Sequence, residues 1–235
     1  MTLDTTRWSI VVAAGGDDSA AARAALSVLC DTYWYPLYAY VRQRGVPAED
    51  ARDLTQAFLT SLIERKDLKH VSQERGRFRS FLLASLQHFL ANDAARQQTA
   101  KRGGGVRVLS LDSDAAEGRY RLEPAGAATP ETLYERRWAL MIIERVLERL
   151  RDAWRAEDRG REFEALKACL LGEGPEGGYA AVASALGTSE GALKVAVHRL
   201  RRRFQTELKR DIGETVADPA DVDDEIRYLI RALNA

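Results

Sequence analysis

"YAAVASALGTSEGALKVAVHRLRRRF", Tyr179–Phe204, decides how the chain is read. A short helix puts Val182 and Leu186 on one face, and Gly187 is able to take the left-handed conformation that ends a helix and turns the chain. Thr188 or Ser189 then caps a second helix through a side-chain oxygen. That helix continues as "EGALKVAVHRLRRRFQTELKR" to Arg210 and buries Leu193, Val197, Leu200 and Phe204. Short helix, glycine turn and long basic helix form the layout of a helix-turn-helix unit. The first turn of the second helix (Ser189, Glu190, Gly191, Ala192) is small enough to let a backbone come close to a partner. Lys194 and the polar groups one turn on then meet base edges or phosphate, with the arginine cluster beside the phosphate backbone. The same pattern also suits a basic amphipathic helix closing a small bundle with its arginines solvated, or a helix lying on a membrane surface or another protein.

The 235 residues are 46% hydrophobic and 30% charged, which suits a globular protein of one large domain or two small ones. No run of about 18 apolar residues occurs, so no membrane span is expected. The start, "MTLDTTRWSIVVAAGGDD", has no basic opening and no long apolar stretch, so no signal peptide is expected and the location read from the sequence is cytoplasmic. Cys30 and Cys169 are far apart and read as buried free thiols. Formal charge is zero, but it is unevenly distributed. Residues 189–210 hold seven Lys/Arg against two acids, a net of +5; residues 74–102 hold six against two, a net of +4; residues 211–235 hold two against seven, a net of −5. Neither His70, His88 nor His198 lies at metal-ligand spacing from a cysteine or carboxylate pair, "KRGGG" lacks the Lys-Ser/Thr end of a phosphate loop, and no nucleophile elbow occurs. No catalytic residue, metal or cofactor is expected, and His88 is expected to pack or to make a local hydrogen bond.

Upstream, "DDSAAARAALSVLCDTYWYPLYAYVRQRG" reads as a helix with a kink or break near Pro36 and a stop at Gly45. "PAEDARDLTQAFLTSLIER" opens on Pro47 with acids near the positive end of the helix, and Ala51, Leu54, Phe58 and Leu62 share an apolar face. "GRFRSFLLASLQHFLANDAARQQTAKR" is a third helix, followed by a glycine-rich stretch read as a linker with a short extended piece at Val106–Leu111. Helical periodicity resumes at Glu131. The expected architecture is all-α: a helical domain over 5–102, a linker over 103–130, a helix-turn-helix domain over 131–210 and an acidic extension over 211–235. In the extension, Asp221 or Asp223 caps a short helix with Ile226, Leu229 and Ile230 on one face. It either packs on the second domain, or lies across the basic helix or binds a regulator and so weakens DNA contact until polymerase is engaged.

Five aromatic residues lie between Tyr33 and Tyr40, and Phe78, Phe81 and Phe89 alternate with Arg75, Arg77, Arg79, Arg96, Lys101 and Arg102. Such rings pack a core, and rings interleaved with cations also stack on unpaired bases. With the order and spacing of the segments, these residues resemble sigma factors of the sigma-70 family, of the extracytoplasmic-function (ECF) type. "LYAYVRQRGVPAEDARDLTQAFLTSLIER" and "FRSFLLASLQHFLANDAARQQTAKRGG" resemble conserved region 2, and "YAAVASALGTSEGALKVAVHRLRRRF" resembles region 4.

The resemblance implies a promoter-specific initiation factor with core RNA polymerase and promoter DNA as partners, regulated by an anti-sigma or other protein. It places Asp50, Asp53, Gln56 and Phe58 on the helix that docks to polymerase. It places Arg77, Phe78, Arg79, Phe81, Asn92, Asp93, Arg96, Lys101 and Arg102 at the −10 element, and Ser189, Lys194, His198, Arg199, Arg201 and Arg202 at the −35 element. "GALK" matches the family's G-T-V-K pattern and "HRLR" its H-R-A-R pattern. The chain departs from the family at Phe81-Leu82 (often Trp-Leu), His88 (often Asn) and Val195-Ala196 (usually Ser-Arg), which resembles a divergent subgroup of the kind found in planctomycetes and myxobacteria. Without that arginine the helix is expected to position on phosphate more than it reads bases. Competing readings are a helical DNA-binding regulator that acts without polymerase and a sigma-like adaptor that binds protein.

Overall fold

Turn residues mark where the helices stop. Helix α1 (Ala20–Gln43) runs through Pro36 without a break and ends at Gly45, whose φ of +84° is left-handed. Pro47 accepts from the Ala51 N–H at 2.8 Å and starts α2 (Ala48–Glu64), with Glu49 and Asp50 in its first turn. Helix α3 is Phe78–Thr99. Within the stretch read as linker, Ser113–Arg121 forms a further helix, α4. Thr129 caps α5 (Pro130–Ala156), its hydroxyl oxygen accepting from Thr132 N–H at 3.1 Å. The chain continues with α6 (Gly160–Leu166), a 3-10 turn (Lys167–Leu171), α7 (Gly178–Ala185), α8 (Glu190–Gly213), a second 3-10 turn (Pro219–Asp221) and α9 (Val222–Leu233). The computed structural model describes residues 20–64, 77–99, 113–122, 129–171, 174–175 and 177–234, and among these the regular structure is all helical. The extended piece expected at Val106–Leu111 lies outside them, as do His70 and the side chain of Cys30.

The described residues form two compact units: one from the residues up to Met141 together with those from Gly213 onward, the other Ile142–Ile212. The division falls inside α5 rather than at residue 131, because the helix supplies Leu133, Tyr134 and Trp138 to the first core and Val146, Leu150 and Trp154 to the second.

The first unit is built on aromatic packing. Tyr33 stacks on Trp138 at 4.7 Å, Phe78 lies 5.2 Å from Tyr33 and 6.1 Å from Trp138, and Tyr134 is 5.9 Å from Trp138. Such ring pairs contribute about 0.5–1.5 kcal/mol each beyond area burial. On α2, Thr55 fills a buried position by donating its hydroxyl to the Ala51 carbonyl at 2.7 Å.

The acidic extension belongs to this first unit, not to the helix-turn-helix domain. Phe78 N–H donates to the Thr215 carbonyl at 2.8 Å, and Glu225, 1% exposed, accepts from Arg79 Nε at 2.6 Å and pairs with Arg77 Nε at 2.9 Å. The Arg79 guanidinium, 4% exposed, also donates to Glu135 at 2.7 Å and lies 4.0 Å from the Tyr228 ring centroid. Tyr228 donates its hydroxyl to Glu135. A buried charge requires such pairing, and the partners come from α5 and α9. The α9 face is therefore Glu225, Leu229 and Ala232, with Ile226 half-buried and Ile230 exposed. Asp218 caps the second 3-10 turn, accepting from Ala220 N–H at 2.8 Å, while Asp221 stands at the N-cap position of α9 without a side-chain cap bond.

Helix α4 is anchored to α1 through Glu117. Its carboxylate accepts from Arg42 Nε at 3.0 Å, from the Tyr38 hydroxyl at 2.6 Å and from Arg121 at 3.3 Å. The Arg42 hydrogen bond, with Tyr38 adding to it, holds the Glu117 carboxyl at about 2 against an ordinary value of 4.5. Burial, then the Glu117 hydrogen bond, pushes the Tyr38 phenol up to about 12. A depressed carboxyl stabilises the fold above its unfolded value near 4.5, and that stability is lost as pH falls toward 2. Glu117→Gln is expected to cost about 1–2 kcal/mol at pH 7 and to flatten the fall in thermal midpoint between pH 5 and 2.5, read by circular dichroism.

Candidate nucleic-acid interface

The second unit holds the long basic helix by its apolar side. Leu193, Ala196, Val197 and Leu200 of α8 enter a core with Val146, Leu150, Trp154, Phe163, Leu166, Cys169 and Ala183. Phe204 packs partly buried against it. Cys169 is a buried free thiol, and desolvation pushes its pKa up. Farther along, Asp211 is buried and accepts from Arg149 at 2.6 and 3.1 Å, tying the end of α8 to α5.

The turn between α7 and α8 is built as its sequence requires. Gly187 has φ +65°, and Thr188 N–H donates to the Ala183 carbonyl at 2.9 Å. Ser189 is the cap: its hydroxyl oxygen accepts from Ala192 N–H at 3.2 Å. The exposed side of α8 then carries Gly191, Ala192, Lys194, Val195, His198, Arg199, Arg202 and Arg203. Lys194 pairs with Glu190 at 2.7 Å, one turn away on the same face, and this raises its pKa. Arg203 lies 3.7 Å from Glu157. Arg199 and Arg202 form no ion pair among the described residues, leaving their charges for an external anion. A cleft of about 560 Å³ runs beside the first turns of α8, lined by Leu186, Val195, Arg199, and Arg159 and Arg161 at the start of α6.

Most of the −35 set named from the sequence is thus exposed on one helix, with Arg201 the exception. Its Nε donates to the Cys169 carbonyl at 2.9 Å, closing the 3-10 turn against α8. The helical step of 100° turns it toward the core edge while Arg202 points out.

The first unit corrects more of the expected positions. Phe58 is 2% exposed and packs 5.7 Å from Phe89, so it is a core residue rather than a docking one. Asp50 and Asp53 are exposed on α2 and Gln56 is half-buried; Asp53 lies 3.2 Å from Arg52. Phe78 is fully buried, and Arg79 is held by Glu225 and Glu135, so neither faces solvent. Arg77 and Phe81 are half-buried. Asn92 is exposed and Asp93 half-buried on α3; the side chain of Arg96, and Lys101 and Arg102 entirely, lie outside the described residues. His88, expected to pack or to make a local hydrogen bond, is exposed one turn before Asn92. Its four-residue spacing from Asn92 was the available signal for a shared face. The turn at Asp158, a non-glycine residue with φ +58°, places Arg159 and Arg161 beside α8, which periodicity did not reveal.

These features define a helix-turn-helix protein whose second helix presents cations on one side of an apolar anchor. The chain belongs to the ECF sigma factors: the family model of that description matches residues 40–210, which reach from the end of α1 to the last basic turn of α8. No curated protein and no solved structure matches the chain significantly. The family comprises polymerase-associated, promoter-specific transcription initiation factors that are not enzymes, and its partners are core RNA polymerase and promoter DNA. Among the described residues no helix is long and apolar enough to cross a membrane.

The two neighbouring arginines are expected to behave differently. Arg201→Ala should lower stability by about 1–2 kcal/mol through its lost carbonyl bond. Arg202→Ala should leave the melting curve unchanged and lower the salt slope of duplex DNA binding by about 1. Chemical denaturation and a fluorescence-anisotropy salt titration measure the two effects.

Proposed function

We propose that the chain directs initiation by three separate contacts. Core RNA polymerase is engaged by the exposed acidic side of α2, with Asp50, Asp53 and Gln56. The −10 strand is engaged by the distal half of α3, with Asn92, Asp93 and Arg96, joined by Lys101 and Arg102 beyond it; Arg77 and Phe81 lie at the opposite end of α3 and are left out of this contact. The −35 duplex is held by α8 through Ser189, Lys194, His198, Arg199 and Arg202. Phe58, Phe78, Arg79 and Arg201 act as positioning residues that fix the helices carrying these contacts.

The observation that carries this reading is the two-sided helix α8 in a chain of the ECF sigma family: its apolar side is anchored in a core, and its Arg199 and Arg202 meet no acid among the described residues. Phosphate neutralisation supplies affinity, and unpaired bases bound by α3 favour the melted promoter. The polymerase performs the chemistry. An anti-sigma protein that covers the α2 or α8 surface would act by competition.

Run-off transcription with core polymerase on a genomic promoter library tests the reading. Chain-dependent starts are expected, and Asp50→Ala with Asp53→Ala should weaken co-purification with core polymerase, more at low salt than at high salt. Duplex binding without directed starts would identify a polymerase-independent regulator, and neither activity would identify an adaptor.

A further inference from the structure

Val195 has no packing role that explains it. It is 50% exposed, whereas its neighbours Ala196 and Val197 enter the core. A β-branched residue is a middling choice for an exposed helical position. One turn earlier stands Gly191, where an added Cβ would meet nothing within 4 Å. No contact among the described residues therefore requires the glycine. Residues four apart share a helix face, so Gly191, Val195 and Arg199 line up, with Ala192 beside them. The face is small, then apolar, then cationic, and nothing on it donates a hydrogen bond to a base edge between the cap and His198 except Lys194.

We propose that Val195 is a specificity-determining residue that reads the C5-methyl group of a thymine in the major groove. This rests on the reading of α8 as a duplex-binding helix. The occupant is double-stranded DNA because the face is flanked by cations, Arg199 and Arg202, that no acid among the described residues neutralises, within a segment of net charge +5. Lys194, 59% exposed, and Arg199 contact phosphate or a neighbouring base, while Gly191 and Ala192 let the helix seat deeply enough for a short side chain to reach the groove floor. Among base edges the thymine methyl is the apolar feature of the major groove, and an aliphatic side chain is its natural partner. The valine at this position therefore gives the helix a base-reading contact in addition to its hold on phosphate. Ala196, being 9% exposed in the core, is not the residue that faces DNA.

The test uses the full chain and the duplex it prefers from a randomised library. Each thymine is replaced singly by deoxyuridine, which lacks only the methyl group. One or two replacements are expected to weaken binding by about fourfold, the factor for losing one buried methyl-sized group. Val195→Ser should lose that sensitivity at the same positions while its circular-dichroism melt stays unchanged. The proposal is overturned if no deoxyuridine position matters, if the preferred site holds no thymine, or if Val195→Ser keeps the same sensitivity. It is also overturned if Val195→Ser leaves DNA binding intact and weakens association with core polymerase instead, which would make the residue a protein contact. Failure of the chain to bind any duplex, alone or with core polymerase, would remove the duplex-binding reading as well; binding without methyl sensitivity would remove this inference alone.

Discussion

A buried guanidinium organises the first unit. Arg79 sits at the start of α3, nearly without solvent, and a charge so placed is tolerated only when its donors are matched. Glu225 and Glu135 match them, and the Tyr228 ring covers one face at 4.0 Å. Helices α5 and α9 thus meet at the point where α3 begins. The Phe78–Thr215 backbone bond and the Tyr33–Phe78–Trp138 rings complete the same joint. The acidic extension contributes Glu225 to this buried site.

Helix α8 shows how one periodicity serves two functions. Leu193, Val197 and Leu200 anchor it, and the positions between them are left to solvent or to a partner. Adjacent arginines consequently differ in role, Arg201 bonding a carbonyl and Arg202 remaining exposed. The same separation distinguishes Ala196 from Val195. A motif comparison treats both as departures from the family pattern, while their burial shows that only Val195 can face outward.

The helices, the Gly45 and Gly187 stops and a cap at Thr188 or Ser189 were legible in the sequence because each depends on neighbours within a turn or two, and the structure gives the cap to Ser189. The aromatic run from Tyr33 to Tyr40 allowed two uses, and the ring contacts show that Tyr33, Trp34, Tyr38 and Tyr40 are buried. What the sequence hid is long in range. Arg79 and Glu225 are 146 positions apart, and no local pattern pairs them. Phe58, Phe78 and Arg79 stand where family motifs gather, and a motif marks position in the chain, not whether a side chain turns in or out. The helix at Ser113–Arg121 was obscured by the glycines and small polar residues around it, and its anchorage depends on Tyr38 and Arg42 of α1, 79 and 75 residues away from Glu117.

The assignment of the extension to the first unit is tested most directly by a double-mutant cycle at Arg79 and Glu225. Arg79→Met and Glu225→Met are made singly and together, and unfolding free energies are measured by denaturant titration. If the pair is the joint of this unit, each single change strands a buried charge and costs about 3–5 kcal/mol. The double change should then cost less than the sum of the singles by more than about 1 kcal/mol. Small single effects that simply add would contradict the pairing and return the extension to an independent role.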